Sequence, residues 1–95
     1  MLVCRFQVQC RPEHAEEMAA RIAAVEAPSL ALPGVVHFDV TRSLTDPHTF
    51  VVFEVFEDQL AFDRQNELSQ VAAVLALVPE GTVTGEFGWT VWETA

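Results

Sequence analysis

Apolar and polar residues alternate over residues 2–10 and again over residues 35–42, which is the period of a β-strand buried mainly on one face. A polar turn over residues 43–48 follows the second of these strands. Residues 49–56 are almost continuously apolar, as is typical of a central strand covered on both faces. After the breaker Pro79-Glu80-Gly81, a fourth strand is predicted over residues 83–92. Four of its apolar residues share one face: Val83, Phe87, Trp89 and Val91.

Apolar residues at helical spacing predict two helices between these strands. The first covers residues 13–30, and Pro28 is expected to kink or end it near its last turn. The second covers residues 58–77, with Asp58 as its N-cap. The order β-α-β-β-α-β predicts an α+β, ferredoxin-like protomer, a four-stranded antiparallel sheet with two helices on one face. The predicted inner residues are Ala15, Met18, Ala19, Ile22 and Val25 on the first helix and Ala61, Leu68, Ala72 and Leu75 on the second.

Length and charge narrow the class of protein. The 95 residues suit a single domain over residues 1–95, with one small core. The formal net charge of −9 would repel phosphate backbones and anionic membrane surfaces, so neither nucleic acid nor membrane is an expected partner. No apolar run reaches the roughly 20 residues of a spanning helix, and the first residues alternate like a strand rather than a leader peptide. These features predict a cytoplasmic protein.

Cys4 and Cys10 lie on the first predicted strand, six positions apart. At a rise of about 3.3 Å per residue they are about 20 Å apart, which is beyond the reach of a disulfide bond. Their positions coincide with the apolar side of the strand. They are interpreted as reduced, buried residues, and a redox role is the alternative.

The alternation along each strand predicts which residues lie on each face of the sheet. Leu2, Cys4, Phe6 and Val8 of the first strand and Val36, Phe38 and Val40 of the second should face the helices. The opposite side, called here the open face, carries the odd-numbered strand residues. On the third strand these include Val51, Phe53 and Val55, which would meet water unless another surface covered them. A homodimer in which two open faces pack together is therefore predicted.

Several segments of the chain resemble a known family. These are the PGV opening of the second strand, the turn FDVTRSLTDP, and the passage FEVFEDQLAF from the third strand into the second helix. Together with the element order, they resemble the antibiotic biosynthesis monooxygenase family of dimeric α+β barrels over nearly the whole chain. The resemblance implies a ferredoxin-like protomer that dimerises through its sheet. Several members are cofactor-independent oxygenases of polycyclic phenols or quinols, others degrade haem, and others have no known activity.

The chain departs from that family in ways that bear on chemistry. Many members carry a His in the middle of the second helix and another about five residues later, where this chain has Gln65 and Gln70. In the haem-degrading branch an Asn on the first strand falls near Phe6, and no Trp or His occurs in the second helix here. Haem degradation is therefore disfavoured, and no cofactor is expected. The chain also has no Tyr.

A pocket between the helices and the sheet is predicted to bind a small apolar or aromatic ligand. Gln65 falls on the inner side of the second helix, where a buried amide needs hydrogen-bond partners or a polar pocket. The expected pocket residues are Phe6, Phe38, Phe62, Gln65 and Trp89. For the aromatic ones plain core packing is the favoured interpretation, because aromatic residues on inward faces usually belong to the core. Glu26 is either a pocket carboxylate or an edge residue with its head in water.

No catalytic base stands out in the sequence. His37 and Asp39 share the open face and are acid–base candidates, with a structural polar network across the dimer as the alternative. Glu54, with Glu57 and Asp58, is interpreted as a structural acidic cluster in which Glu54 pairs with Arg5 or Arg42 inside the dimer. No spacing of His14, His48 or other ligand residues resembles a closed metal site, so no metal is expected.

Two functions follow from these observations. The first, by resemblance, is a cofactor-independent monooxygenase in which a deprotonated phenol or quinol reduces dioxygen directly. The second is a non-catalytic dimeric module that binds a small ligand or acts as a structural domain, and the missing helix imidazoles favour it.

Overall fold

Four antiparallel strands with helices on one face form the protein. The computed structural model describes residues 1–94; Ala95, which the predicted domain includes, lies outside the described residues. The strands run in the order β2-β3-β1-β4. The ferredoxin-like α+β architecture predicted from the sequence is confirmed. The elements are β1 (Leu2–Cys10), α1 (Ala15–Leu30), β2 (Val35–Arg42), β3 (Thr49–Phe56), α2 (Gln59–Asn66), α3 (Ser69–Leu75) and β4 (Val83–Glu93).

The core lies between the helices and the even-numbered residues of the central strands. Met18, Ile22 and Val25 of α1 are buried against this face, as their helical spacing predicts. Alternate residues of β1, from Leu2 to Cys10, are buried while those between them are partly exposed. Burial of each large apolar side chain stabilises the fold by about 1.5–3 kcal/mol. Pro28 lies inside the last turn of α1, which ends two residues later at Leu30.

The predicted second helix is two helices. The chain leaves helical geometry at Leu68, whose ψ is 139°, and α3 begins at the next residue. This extended residue resets the helical phase, so the inner positions of α3 are Val71 and Val74. The prediction that Ala72 faces inward was therefore wrong, because Ala72 is exposed. Leu75 is 39 % exposed, although it borders the space between the helices and the sheet. Ala61 is buried and Leu68 packs against the core, as predicted.

A β-bulge changes the start of β2. The pairing with β3 shifts register between Val35 and His37, which leaves Val36 without a partner in the ladder and 50 % exposed. Val35 packs against the core in its place. The prediction that Val36 faces the helices was wrong because an extra residue in one strand inverts the alternation before it. Beyond the bulge, Phe38 is buried as predicted.

Strand β4 presents its apolar residues to the helix side. Phe87, Trp89 and Val91 pair with Val8, Phe6 and Cys4 of β1, all of which are buried. The predicted sharing of one face is therefore confirmed. Because β4 lies at the edge of the sheet, its residues are less covered than those of β1.

The N-cap of α2 is expected to matter for stability. The Asp58 carboxylate accepts a hydrogen bond from the backbone N–H of Ala61 at 2.9 Å. We expect Asp58→Ala to lower the free energy of unfolding by about 1 kcal/mol, because a helix donor loses its partner. Asp58→Asn keeps an acceptor and is the control, and urea unfolding measures both. Equal stability of Asp58→Ala and the wild type would contradict the assigned role of the cap.

Candidate functional site

Strand β3 places a carboxylate in the core. Glu54 shares the helix-facing side with Val52 and Phe56, and it pairs with Cys4 on β1 and Phe38 on β2. Its side chain is only 4 % exposed. The prediction that Glu54 pairs with Arg5 or Arg42 inside the dimer was wrong, because the carboxylate lies on the opposite side of the sheet from the open face.

The other members of the predicted acidic cluster have different surroundings. Glu57 is exposed, and Asp58 caps α2. Arg42 forms its ion pair with Glu16 of α1, at 2.7 Å. The three acidic residues therefore do not act as one group.

A single hydrogen bond joins the buried carboxylate to α2. Gln65 lies one helical turn after Ala61 on the inner side of α2, where it is 3 % exposed. Its Nε2 donates to Glu54 Oε1 at 2.5 Å. The buried amide predicted from the helical period therefore has its partner on the sheet, and the partner is an ionisable group.

Burial raises the pKa of Glu54 above the ordinary value for a glutamate, and hydrogen bonds from Gln65 and Cys4 partly oppose this rise. Burial, followed by the nearby charge of Glu54, raises the pKa of the Cys4 thiol to about 12. The causes of the Glu54 shift include no cationic side chain of the described chain. A carboxylate with neutral donors and no counter-ion is suited to accepting a proton.

Glu54 and Gln65 border a small cavity between the helices and the sheet. Its volume is about 40 Å³, and its other walls are almost entirely apolar. They include Phe6 and Phe38 on the sheet and Val71 and Val74 on α3.

A wider groove of about 270 Å³ adjoins the cavity. Its lining residues are Phe62, Asn66, Val71, Leu75 and Trp89, and all of them except Phe62 also border the cavity. The polar residues that border the combined space are Glu54, Gln65 and Asn66, and its other lining residues are apolar or aromatic. Such a lining is suited to a flat apolar molecule that carries one hydroxyl group.

The structure brings the predicted pocket residues to this space. Phe6, Phe38 and Gln65 border the cavity, Phe62 borders the groove, and Trp89 borders both. Phe6 and Phe38 are also members of the main core cluster. Trp89 is 42 % exposed, and its ring lies 5.0 Å from that of Phe6 between centroids.

The predicted acid–base candidates lie elsewhere. His37 and Asp39 are exposed on the open face, and the sheet separates them from the cavity. Glu26 is exposed on α1, in agreement with the edge position considered for it. Glu54 was missed as a site residue, although its even number places it with the buried residues of β3. Its two acidic neighbours in the sequence led to the interpretation as a structural acidic cluster inside the dimer.

Three other structural features bear on the range of functions. Among the side chains that the structure describes, no group of three or more His, Cys, Asp and Glu is arranged to hold a metal ion. None of the helices in the described part of the chain has the length and apolar character required to cross a membrane. Cys4 and Cys10 are buried free thiols.

Comparisons with known proteins agree with this architecture. The sequence model of the antibiotic biosynthesis monooxygenase family matches residues 1–77. A protein from Nitrosomonas europaea, assigned provisionally as an antibiotic biosynthesis monooxygenase, superposes with a TM-score of 0.87 at 17 % identity, covering 99 % of this chain and 98 % of that one. Rv0793 from Mycobacterium tuberculosis superposes with a TM-score of 0.86 at 22 % identity, covering 99 % and 94 %. At these identities the solved structures establish the fold alone. No protein of curated function matches the sequence.

The raised pKa of Glu54 has a consequence for stability. Between the ordinary and the raised pKa the folded protein binds more protons than the unfolded chain, so Glu54 makes the protein less stable as the pH rises through this window. Glu54→Gln removes this titration and keeps an oxygen that accepts from Gln65. We expect the stability of Glu54→Gln relative to the wild type to increase from acid to neutral pH. Thermal or urea unfolding across pH measures this difference.

Glu26→Gln is the matched control for that experiment, because it removes the same charge from the exposed surface of α1. Glu54→Ala is a second comparison. It leaves the buried Gln65 donor without a partner and should lower the free energy of unfolding by about 1–3 kcal/mol. If the difference in unfolding free energy between Glu54→Gln and the wild type stayed constant with pH, the assigned environment of the carboxylate would be contradicted.

Proposed function

The chain belongs to the antibiotic biosynthesis monooxygenase family, and we propose that it oxygenates a small hydroxylated aromatic compound, a phenol or quinol, without a cofactor. One observation carries this proposal. An apolar groove bordered by Phe62 and Trp89 adjoins a smaller cavity that is bordered by the Gln65–Glu54 pair. An aromatic ring in the groove would direct its hydroxyl group into the cavity.

The dimensions limit the substrate. Ligand pockets commonly enclose about 300–1,000 Å³, and the groove, at about 270 Å³, lies just below this range. The inner cavity of about 40 Å³ has room for a hydroxyl group or a water molecule but not for a ring. We therefore expect one- or two-ring substrates to be preferred over three-ring ones.

The proposed chemistry needs no external reductant, because the substrate supplies the electrons. A phenol and dioxygen give a quinone and water, so that one oxygen atom enters the ring and the other leaves in water. The protein contributes binding, orientation and exclusion of water from the phenolate. Proximity and desolvation of this kind lower the barrier without a reactive side chain.

A non-catalytic small-ligand module is the second candidate, and the narrowness of the inner cavity favours it. Such a protein would bind aromatic compounds in the groove and would consume no dioxygen. Affinity measurements and dioxygen uptake on the same compounds distinguish the two functions.

The open face supports a further part of the proposal, the homodimer. Phe53 is 42 % exposed there, beside the partly exposed Val51 and Val55. Trp92 of β4 lies on the same side, since it pairs with Val3 of β1. Apolar residues in a row on a sheet face lose contact with water when a second copy packs on them. In this arrangement His37 and Asp39 lie at the interface as polar partners.

Filling the groove is expected to lower activity. The side chain of Leu75 lies at the groove and is partly exposed, so Leu75→Trp should occupy the ring site with little strain. We expect at least a tenfold loss of kcat/KM in dioxygen uptake with a panel of quinols, hydroxynaphthalenes and hydroxyanthracenes. Leu60→Trp, on the exposed side of α2 and outside both spaces, is the control. Equal activity of the two variants would place the substrate elsewhere.

The dimer is expected to depend on the apolar residues of the open face. Phe53→Glu places a charge in the middle of that face and should shift the protein from dimer to monomer in sedimentation or light scattering. Leu44→Glu, at the fully exposed turn between β2 and β3, is the matched control. A dimer that persists in Phe53→Glu would mean that another surface mediates assembly.

A further inference from the structure

We propose that Glu54 is the general base that takes the hydroxyl proton of the substrate, with Gln65 and Cys4 as positioning residues. This inference rests on the proposed function, and it identifies a catalytic group that the sequence analysis left unassigned. Glu54 is the only titratable side chain among the described residues that border the cavity or the groove. A hydroxyl group at the inner end of the cavity therefore has one carboxylate within reach.

The surroundings of Glu54 keep it available for this proton. From β1 it faces Cys4, from β2 Phe38 and from α2 Gln65. The helices α1 and α3 and the strand β4 contribute apolar walls to its cavity: Ile22, Val25, Val71, Val74, Leu75 and Trp89. Cys4 is the one titratable group in these sets, and its pKa of about 12 keeps the thiol protonated at neutral pH. It can donate to the carboxylate without competing for the proton.

Gln65 suits both protonation states of the base. Its amide nitrogen donates to Oε1 of the anion. When Glu54 carries the proton, rotation of the amide presents the carbonyl oxygen as an acceptor. An amide can follow the carboxyl group through the reaction in this way, whereas a lysine or arginine would hold it as an anion.

The transfer of the hydroxyl proton from the substrate to Glu54 balances in protons and electrons. The substrate O–H bond breaks, a new O–H bond forms at Glu54 Oε2, and the electron pair stays on the phenolate oxygen. The net charge of the cavity is unchanged, which avoids the cost of adding charge to an apolar site. The phenolate then transfers electrons to dioxygen and combines with it. Glu54 returns its proton to the resulting peroxide anion, which restores the carboxylate. The O–O bond and the C–H bond at the oxygenated ring carbon then break, and the departing hydroxide and ring proton form water and leave the quinone.

Dioxygen uptake by Glu54→Gln tests the role directly. We expect kcat/KM to fall by at least about 100-fold, the lower range for removal of a general base. In the wild type kcat/KM should rise with pH as Glu54 ionises, with an apparent pKa above that of an ordinary glutamate. Glu26→Gln is the control for the lost charge. Activity of Glu54→Gln within threefold of the wild type, with the same pH profile, would overturn the proposal and leave the proposed function standing.

Gln65→Met tests the positioning role, since methionine has a similar length and no amide. Loss of the bond to Oε1 should raise the apparent pKa of Glu54 and move the acid limb of the pH profile to higher pH. A lower kcat with an unmoved acid limb would mean that Gln65 has a packing role only.

A binding experiment separates the base from the oxygenase reaction. The probe is para-nitrophenol, whose anion is coloured, and the pH is set below the pKa of the free probe. Proton sharing with Glu54 should shift the absorption of the probe toward that of its anion when it binds the wild type or Glu26→Gln. The probe bound to Glu54→Gln should keep the spectrum of the neutral form. This pattern without dioxygen uptake on any quinol would support the base and reject the oxygenase. Identical spectra with all three proteins, or no binding to the wild type, would overturn the inference.

Discussion

The hydrogen bond between Gln65 and Glu54 is the interaction on which the proposed site depends. It joins α2 to the centre of the sheet, and both side chains are almost completely buried. An unpartnered carboxylate at this depth would be strongly unfavourable, whereas an amide donor lowers the cost without fixing the charge. An apolar pair at these two positions would pack with less cost. The position of this polar pair beside a cavity is the basis of the proposed functional role.

The break between α2 and α3 shapes the space around this pair. Because Leu68 is extended, α3 starts with a new helical phase and turns Val71 and Val74 toward the cavity. Leu75 then lies at the groove, where it is partly exposed. The apolar wall opposite the sheet thus depends on one non-helical residue. The groove also depends on the edge position of β4, which leaves Trp89 half covered.

The two sides of the sheet have different proposed roles, one in the binding site and the other in the dimer interface. The helix-facing side holds the cavity, and the open face carries the half-exposed Phe53 and the polar pair His37 and Asp39. Glu54 and Phe53 are neighbours in β3, so their side chains point to opposite sides of the sheet: Glu54 to the helices and Phe53 to the open face. Strand alternation therefore allows one strand to serve both an interface and a site. A change in strand register would exchange the two sets of residues.

The sequence by itself determined the features that follow from local periods. The strand alternation, the inner side of α1 and the inward direction of Gln65 depend on residues close together in the chain, and the structure agrees with each. The bulge at Val36 and the helix break at Leu68 were not predicted, because one irregular residue inverts or resets a period that pattern analysis takes as continuous. The partner of Gln65 lies on another element, so only the tertiary structure shows that a buried carboxylate meets it. The sequence already placed Glu54 on the same face as the buried residues of β3. Its environment, and with it the raised pKa, results from packing between elements distant in the chain.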